Sequence, residues 1–321
     1  MKKHLLICCH NGASFIEDQV ESVIQQDSKI DYYHVFDFSS SDGTPEIIIS
    51  LFERYGLENF KFYRYRDAPG ASRSFFRAFS ELSKVVEDED CIFFADQDDV
   101  WLPGKIRAMQ DIFERKISKN RNLAIFHGVK VVDSDLGIIK ENFYTGNPYS
   151  IPRDLSIDRL LLCNPVIGHT LLVSGAALKM VSQEMNHAGY IMHDWALMLW
   201  LRRFGEVDFY LETPLSLYRQ HANNILGTTK KRSLKESLFR ANNLARAIVL
   251  QTAEFSYDLR KKYGVSGAIF LDKILIYIFE KDYRKFLIYP FLALLAFFRG
   301  PTFERKMLAF FIFGQIFFHK K

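Results

Sequence analysis

The sequence predicts an α/β protein: a mostly parallel sheet flanked by helices, followed from residue 230 by a helical appendage. Three observations lead there. The first 120 residues alternate short apolar runs with helical periodicity, which is the pattern of βαβ units. A cluster of carboxylates stands directly after the fourth apolar run, where open α/β sheets place their ligands. After Gly227 the composition shifts to long helical stretches rich in Lys, Arg and Phe.

Residues 4–8, 33–38, 60–65 and 91–95 read as strands, each closed by a polar turn. Three helices lie between them. The first has Ser14 and Glu17 in capping-box spacing, with Ile16, Val20, Val23 and Ile24 on one face. The second has Thr44 as cap and Pro45 at its first position, then Ile48, Leu51, Phe52 and Tyr55. Phe75, Phe76, Phe79, Leu82 and Val86 mark the third. From about residue 123 the pattern is mixed. Residues 129–132 and 137–139 flank Asp133-Ser134-Asp135-Leu136 as a hairpin. Strands are expected at 170–173, 207–210 and 216–219, with helices at 176–184 and 195–204.

A chain that is 48% apolar and 25% charged has the composition of a packed globular protein, which excludes disordered and low-complexity classes. The four cysteines form no CxxC pair, so neither a disulfide scaffold nor a structural zinc site is expected, and a reducing cytoplasm is the default. The N-terminus has too short an apolar run for a secretory leader and reads as a first strand. Charge is distributed unevenly. Residues 1–229 hold 24 Lys and Arg against 31 Asp and Glu, whereas residues 230–321 hold 18 against 7. That second segment also carries 14 of the 30 phenylalanines. A catalytic body of residues 1–229 with a basic, Phe-rich appendage of residues 230–321 follows.

The strand at residues 91–95 runs into Asp96-Gln97-Asp98-Asp99-Val100-Trp101. Three carboxylates in four residues repel one another unless something cationic sits among them. Asp96 and Asp98, two apart on extended chain, face the same way. Hard oxygen ligands at a polar edge suit Mg2+ or Mn2+ completed by a substrate's phosphates. Asp99 alone also fits a cap for the helix that starts near Pro103.

With this motif the chain resembles family 2 glycosyltransferases of the GT-A fold, nearest their bacterial rhamnosyltransferase-like branch. Four further segments match in order: His10-Asn11-Gly12 with the helix from Gln19, Ser39 to Thr44, Gly70 to Phe75, and the pair His193-Asp194-Trp195 and Tyr218 to Asn224. The resemblance spans roughly residues 3–229. It implies inverting transfer of a sugar, from dTDP-rhamnose or a UDP-hexose, to a hydroxyl of a lipid-linked saccharide in cell-surface polysaccharide synthesis. Asp96 would then meet the nucleotide's ribose, and Asp98 would ligate the metal with His221 as a further ligand. His221 equally fits a polar loop histidine that holds the chain in place. Asp194 would be the base, and a helix N-cap is its alternative role.

The nucleotide end departs from the family pattern. Cys8, Cys9 and His10 precede Asn11 where a hydroxyl or Pro residue and a Tyr are common, and Asp37-Phe38 replaces two adjacent Asp. His10 can still lie against a base, and Asp37 can accept the pyrimidine imide hydrogen, whereas Phe38 accepts nothing. Cys8 and Cys9 also fit plain strand packing. Arg73 suits the diphosphate by its forked geometry, while Arg77 reads as surface charge. The competing function is a non-catalytic, membrane-bound sugar-binding or scaffold protein on the same fold. Phe38 and Cys8 speak for it, Asp98 and Asp194 against. A sugar pyrophosphorylase would need a Gly-rich basic loop after the first strand, which is absent.

In the appendage the longest uncharged runs are residues 286–298 and 307–318, too short to span a bilayer. Basic clusters beside Phe-rich faces suit helices lying on an anionic membrane. A helical packing layer or a homo-oligomer face is the alternative. The expected location is peripheral, at the cytoplasmic face of the cell membrane, with no nucleic-acid partner.

Overall fold

A computed structural model describes residues 1–145, 155–161, 164–184, 189–221 and 234–263. Strands β1 (Lys3–Cys9), β2 (Tyr32–Phe38), β3 (Phe60–Tyr65) and β4 (Cys91–Ala95) alternate with helices α1 (Ile16–Ile24), α2 (Thr44–Arg54) and α3 (Ala71–Leu82). Then come β5 (Val100–Trp101), α4 (Lys105–Ile117), β6 (Leu123–His127), β7 (Val129–Val132), β8 (Ile138–Lys140) and the short α5 (Ile157–Leu160). A 3-10 turn at Gly168–Thr170 leads into β9 (Leu172–Ser174), α6 (Gly175–Glu184), α7 (His193–Phe204), β10 (Glu206–Tyr210), β11 (Ser216–Arg219) and α8 (Leu234–Tyr263). The expected strand at 170–173 therefore begins two residues later, behind that turn.

Seven strands form one sheet in the order β10-β6-β9-β4-β1-β2-β3. All its pairings are parallel except those of β9 with β4 and β6. A second sheet has the order β5-β11-β7-β8, with β7 and β8 forming the expected hairpin around Asp133. Central strands buried on both faces read as continuous apolar runs, as β1 and β4 do. On one face Leu5, Ile7, Val35 and Phe93 pack with Val20, Ile48 and Ile106 of α1, α2 and α4. On the other, Phe94 meets Phe75 and Phe79 of α3 at ring distances of 6.0 and 5.3 Å. A buried phenylalanine of this kind contributes about 3 kcal/mol by transfer alone.

Two expected helix caps are not formed. α1 starts at Phe15 with no side-chain cap, and Glu17 lies 3.6 Å from Arg54 instead of reaching back to Ser14. α2 is preceded by Gly43 at φ 89°, and Thr44 is already helical. The Thr44 hydroxyl donates to Asp42 (2.5 Å) and accepts from the Gly12 N–H (2.8 Å), so it joins two turns and leaves the helix end to glycine.

The described residues fall into two compact units. One is drawn from Met1–Asn147, Pro165–Gln183 and Met192–Thr228, the other from Pro148–Asn164, Glu184–Ile191 and Thr229–Lys321. Within the second, Tyr190 donates to Asp258 and the Ile191 N–H to Gln251 of α8. Among the described residues no helix is long and apolar enough to cross a membrane. Cys163, the Lys230-Lys231-Arg232 cluster and both Phe-rich runs lie outside the described residues.

Candidate active site

Because β4, β1 and β2 are adjacent and parallel, their carboxyl ends open on one edge of the sheet. Asn11 and Ser39 sit at φ 50° and 61°, the left-handed region that tight polar turns use. Asn11 accepts from the Ser41 N–H at 2.9 Å and donates its own N–H to Ser40 at 3.0 Å. The Ala13 N–H donates to Asp42 at 2.9 Å. The third turn is tied in by Gln97, whose side chain accepts the His10 N–H (2.9 Å) and donates to the His10 carbonyl (3.2 Å). A Cβ at Gly12 would stand 2.5 Å from the Gln97 oxygen, so a larger residue there would displace this tie. Three separate turns become one rim.

His10 Nδ1 donates to the Phe38 carbonyl at 2.7 Å, which leaves Nε2 to accept from Asn11. The imidazole is exposed at the rim, as a surface for a base requires. Asp37 is buried with Oδ1 lacking a partner, so an acceptor is held in reserve behind the second turn. Phe38 points to the opposite face and stacks on Tyr65, with centroids 4.7 Å apart and planes 6° from parallel. It is a core residue, not a damaged nucleotide contact. Cys8 shares that inner face and is buried, and burial lifts its thiol well above the usual range. Arg73 is exposed on the first turn of α3, while Arg77 is engaged with Asp67 at 2.6 Å.

In the acidic turn the side chains separate by depth: Asp96 is 32% exposed, Asp98 19% and Asp99 1%. Asp98 Oδ2 lies 2.8 Å from His221 Nε2, beyond the end of β11. Asp99 does not cap α4, which starts two residues after Pro103 from Gly104. It turns inward, accepts the Arg219 N–H (2.9 Å) and meets His169 Nδ1 at 2.6 Å. His169 Nε2 is paired with Ser216 at 2.8 Å. The buried Lys105 ammonium donates to the His169 carbonyl (2.9 Å) and lies 3.7 Å from the centre of the Trp101 ring. Burial raises Asp99 and lowers His169, so it disfavours the charged form of each. Burial also drives Lys105 down, against the pull of Asp99 and Asp96. Asp96 is pushed up to about 8 by burial first, then by Asp99, Asp98 and Asp194.

Asp194 is the second residue of α7, and Met192 occupies the cap position. It is buried, and its Oδ1 accepts the Trp195 N–H at 2.6 Å. Gly168 allows this helix start to come close, since a Cβ there would be 2.8 Å from His193 Nε2 and 3.9 Å from Asp194 Oδ2. The same turn carries His169, and Asp194 lies close enough to Asp96 to help raise it. His193 stacks on Phe75 at 3.8 Å.

Two donor sets among the described residues suit a divalent cation. Asp96, Asp99 and His169 offer ligand atoms within 4.8 Å of one another. Asp98 and His221 offer theirs 2.8 Å apart, close to the roughly 3 Å between neighbouring ligands of an ion bound at about 2.1 Å. The first set is closed to solvent except at Asp96, and both its deeper members are already paired with each other. Of these five residues, Asp96, Asp98 and His221 keep the solvent exposure that a diphosphate completing the shell requires. Lys105, His169 and Ser216 escaped the sequence reading, because a lysine after Pro-Gly and a histidine in a coil carry no periodic signal.

The mostly parallel sheet thus carries the acidic turn at its carboxyl edge, with Asp194 near Asp96. Residues 5–128 match the model of Glycosyl transferase family 2. Over that segment the chain is similar to family 2 glycosyltransferases, and its mixed α/β fold is the GT-A fold of solved glycosyltransferases. It is 25% identical over 233 residues to the dTDP-rhamnosyl transferase RfbG of Shigella flexneri, covering 68% of this chain and 72% of that protein. In structure it is similar to TarS 1–349 of S. aureus in complex with UDP-GlcNAc, with TM-score 0.52, 14% identity, and 98% and 90% of the two chains covered. It is also similar to the mannosyltransferase PcManGT of Pyrobaculum calidifontis in complex with GDP-Man and Mn2+, with TM-score 0.50, 12% identity, and 96% and 79% covered. At these identities the structural likenesses speak for the fold.

Proposed function

We propose that the protein transfers rhamnose from dTDP-rhamnose, with inversion, to a hydroxyl of a lipid-linked saccharide. The observation that supports transfer is that Asp96 and Asp98 of the turn after β4, His221 beyond β11 and Asp194 of α7 gather at one sheet edge. The choice of donor rests on the similarity to RfbG, a dTDP-rhamnosyl transferase. A UDP-hexose is the alternative donor that the family pattern allows.

Asp194 takes the proton of the acceptor hydroxyl, whose oxygen then bonds to the anomeric carbon. On the opposite side the bond from that carbon to the diphosphate oxygen breaks, and its electron pair leaves with the nucleotide. Asp98 and His221 would hold Mg2+ or Mn2+, which supplies positive charge beside the departing diphosphate. Asp96 faces the ribose, while Asn11, His10 and Asp37 shape the base end and Arg73 stands at the phosphates. Cys8 supports that floor from within the sheet. The basic, Phe-rich residues 230–321 would bring the enzyme to an anionic membrane on its cytoplasmic face, where a lipid-linked acceptor lies.

A panel of dTDP-rhamnose, UDP-glucose, UDP-galactose and UDP-GlcNAc offered with Mn2+ or Mg2+ tests this directly. Hydrolysis or transfer of dTDP-rhamnose above the others is expected. Preference for a UDP-sugar overturns the donor, and turnover of none overturns the reading.

A further inference from the structure

We infer that Phe15 is a positioning residue for the metal, acting through His221. The inference rests on the proposal that Asp98 and His221 share a cation. Arg219 closes β11, and His221 follows two residues later. Phe15, at the start of α1, covers both. Its ring lies 4.7 Å from the His221 ring at an interplanar angle of 27°, and the Arg219 guanidinium carbon is 4.7 Å from its centre.

The platform itself is fixed. The Phe15 N–H donates to the Gly12 carbonyl at 3.0 Å, and Gly12 is held by Thr44. One turn further along α1, Asp18 accepts from Arg219 Nη2 at 2.7 Å, while Arg219 Nη1 donates to the Ser134 carbonyl at 2.9 Å. The Arg219 N–H is the one that holds Asp99. A single residue of β11 thus grips α1, the β7–β8 hairpin and the acidic turn, and Phe15 lays the neighbouring imidazole flat beside it. Stacking restricts rotation of the His221 ring, so Nε2 stays aimed at Asp98 Oδ2. Without the ring the imidazole would keep its chemistry and lose its aim.

Phe15 is only partly buried, so its replacement tests aim apart from folding. Mn2+ is titrated into the full-length protein and followed by electron paramagnetic resonance, alone and with dTDP or UDP present. Phe15→Leu should weaken Mn2+ binding about 10-fold, the scale of lost outer-shell support. Phe15→Tyr, which keeps the stack, should stay within about 2-fold of the parent. Thermal midpoints should be unchanged in both. His221→Ala run alongside separates the two levels of argument. If it leaves Mn2+ binding intact, the shared-cation reading fails and the inference falls with it. If it weakens binding while Phe15→Leu does not, the site stands and the positioning role is overturned. Failure of Phe15→Tyr to hold affinity, or a large loss of stability in Phe15→Leu, makes Phe15 a packing residue only.

Discussion

Asp98 and His221 stand 123 residues apart in sequence, yet their Oδ2 and Nε2 atoms lie 2.8 Å apart. No local element joins them. The contact exists because β5, directly after the acidic turn, pairs with β11, directly before the histidine.

Asp98→Ala should abolish transfer and leave the fold intact. Its carboxylate is partly solvent-facing and its contact with His221 is only part-buried, so circular dichroism and thermal unfolding should match the parent. Removal of a metal carboxylate withdraws several kcal/mol of leaving-group stabilisation, or on the order of 10³-fold in turnover. Near-normal turnover by the folded variant would refute the assignment.

Asp194→Asn should keep donor binding and lower kcat by at least about 10²-fold, the scale of a lost general base. The amide oxygen can still accept the Trp195 N–H, so the start of α7 should hold. Isothermal titration with the nucleotide and steady-state kinetics check this together. A collapse of donor affinity would place Asp194 in the nucleotide site.

Much of this was legible in the sequence, for a physical reason. Strands β1, β2 and β4 are buried runs, and burial writes itself as apolar residues, while edge strand β3 shows as Phe and Tyr alternating with Lys61 and Arg64. The acidic turn was visible because its residue types are anomalous beside such runs, and Asp194 was picked out by the family resemblance. Phe38 was misjudged by residue type, although a period of two already put it and Asp37 on opposite faces. Ser14 and Thr44 had capping spacing, but long-range partners took Glu17 and the threonine hydroxyl. The Asp99, His169 and Lys105 network was illegible because it is assembled by tertiary contact alone.

Stability should fall on acidification below pH 6.5, and His193→Phe should soften that fall. Burial holds His193 at about 3, and both ring nitrogens lack partners. The unfolded chain takes up a proton near pH 6.5 while the folded chain does not, so stability present above that value is lost towards pH 3. One such group contributes about 1.4 kcal/mol per pH unit. His34, lowered to about 4 by burial and by His4 and Lys61, adds to the slope above pH 4. Urea unfolding at pH 7 and pH 5 should show a smaller difference in His193→Phe, which keeps the stack on Phe75. An unchanged difference would locate the acid sensitivity elsewhere.

The protein should sediment with anionic vesicles and far less with neutral ones. Each Lys or Arg near such a surface is worth about 1 kcal/mol, and high salt should release most of the bound protein. Charge reversal at Lys230, Lys231 and Arg232 should weaken sedimentation without shifting the thermal midpoint. Equal partition to both vesicle types would make residues 230–321 a packing layer.

The grip of the Arg219 N–H on Asp99 also orders events during synthesis. The two residues are 120 apart, and at roughly 5–20 residues per second the ribosome takes about 6–24 s to deliver the second after the first. Through that interval β5 has no strand to pair with, and Asp99 has no backbone donor. The nucleotide-side turns can close early, from the first four strands alone, while the reactive half waits for the chain to come back. A product that stops short of β11 is therefore inert, and the enzyme gains its chemistry in one step near the end of translation of its catalytic body.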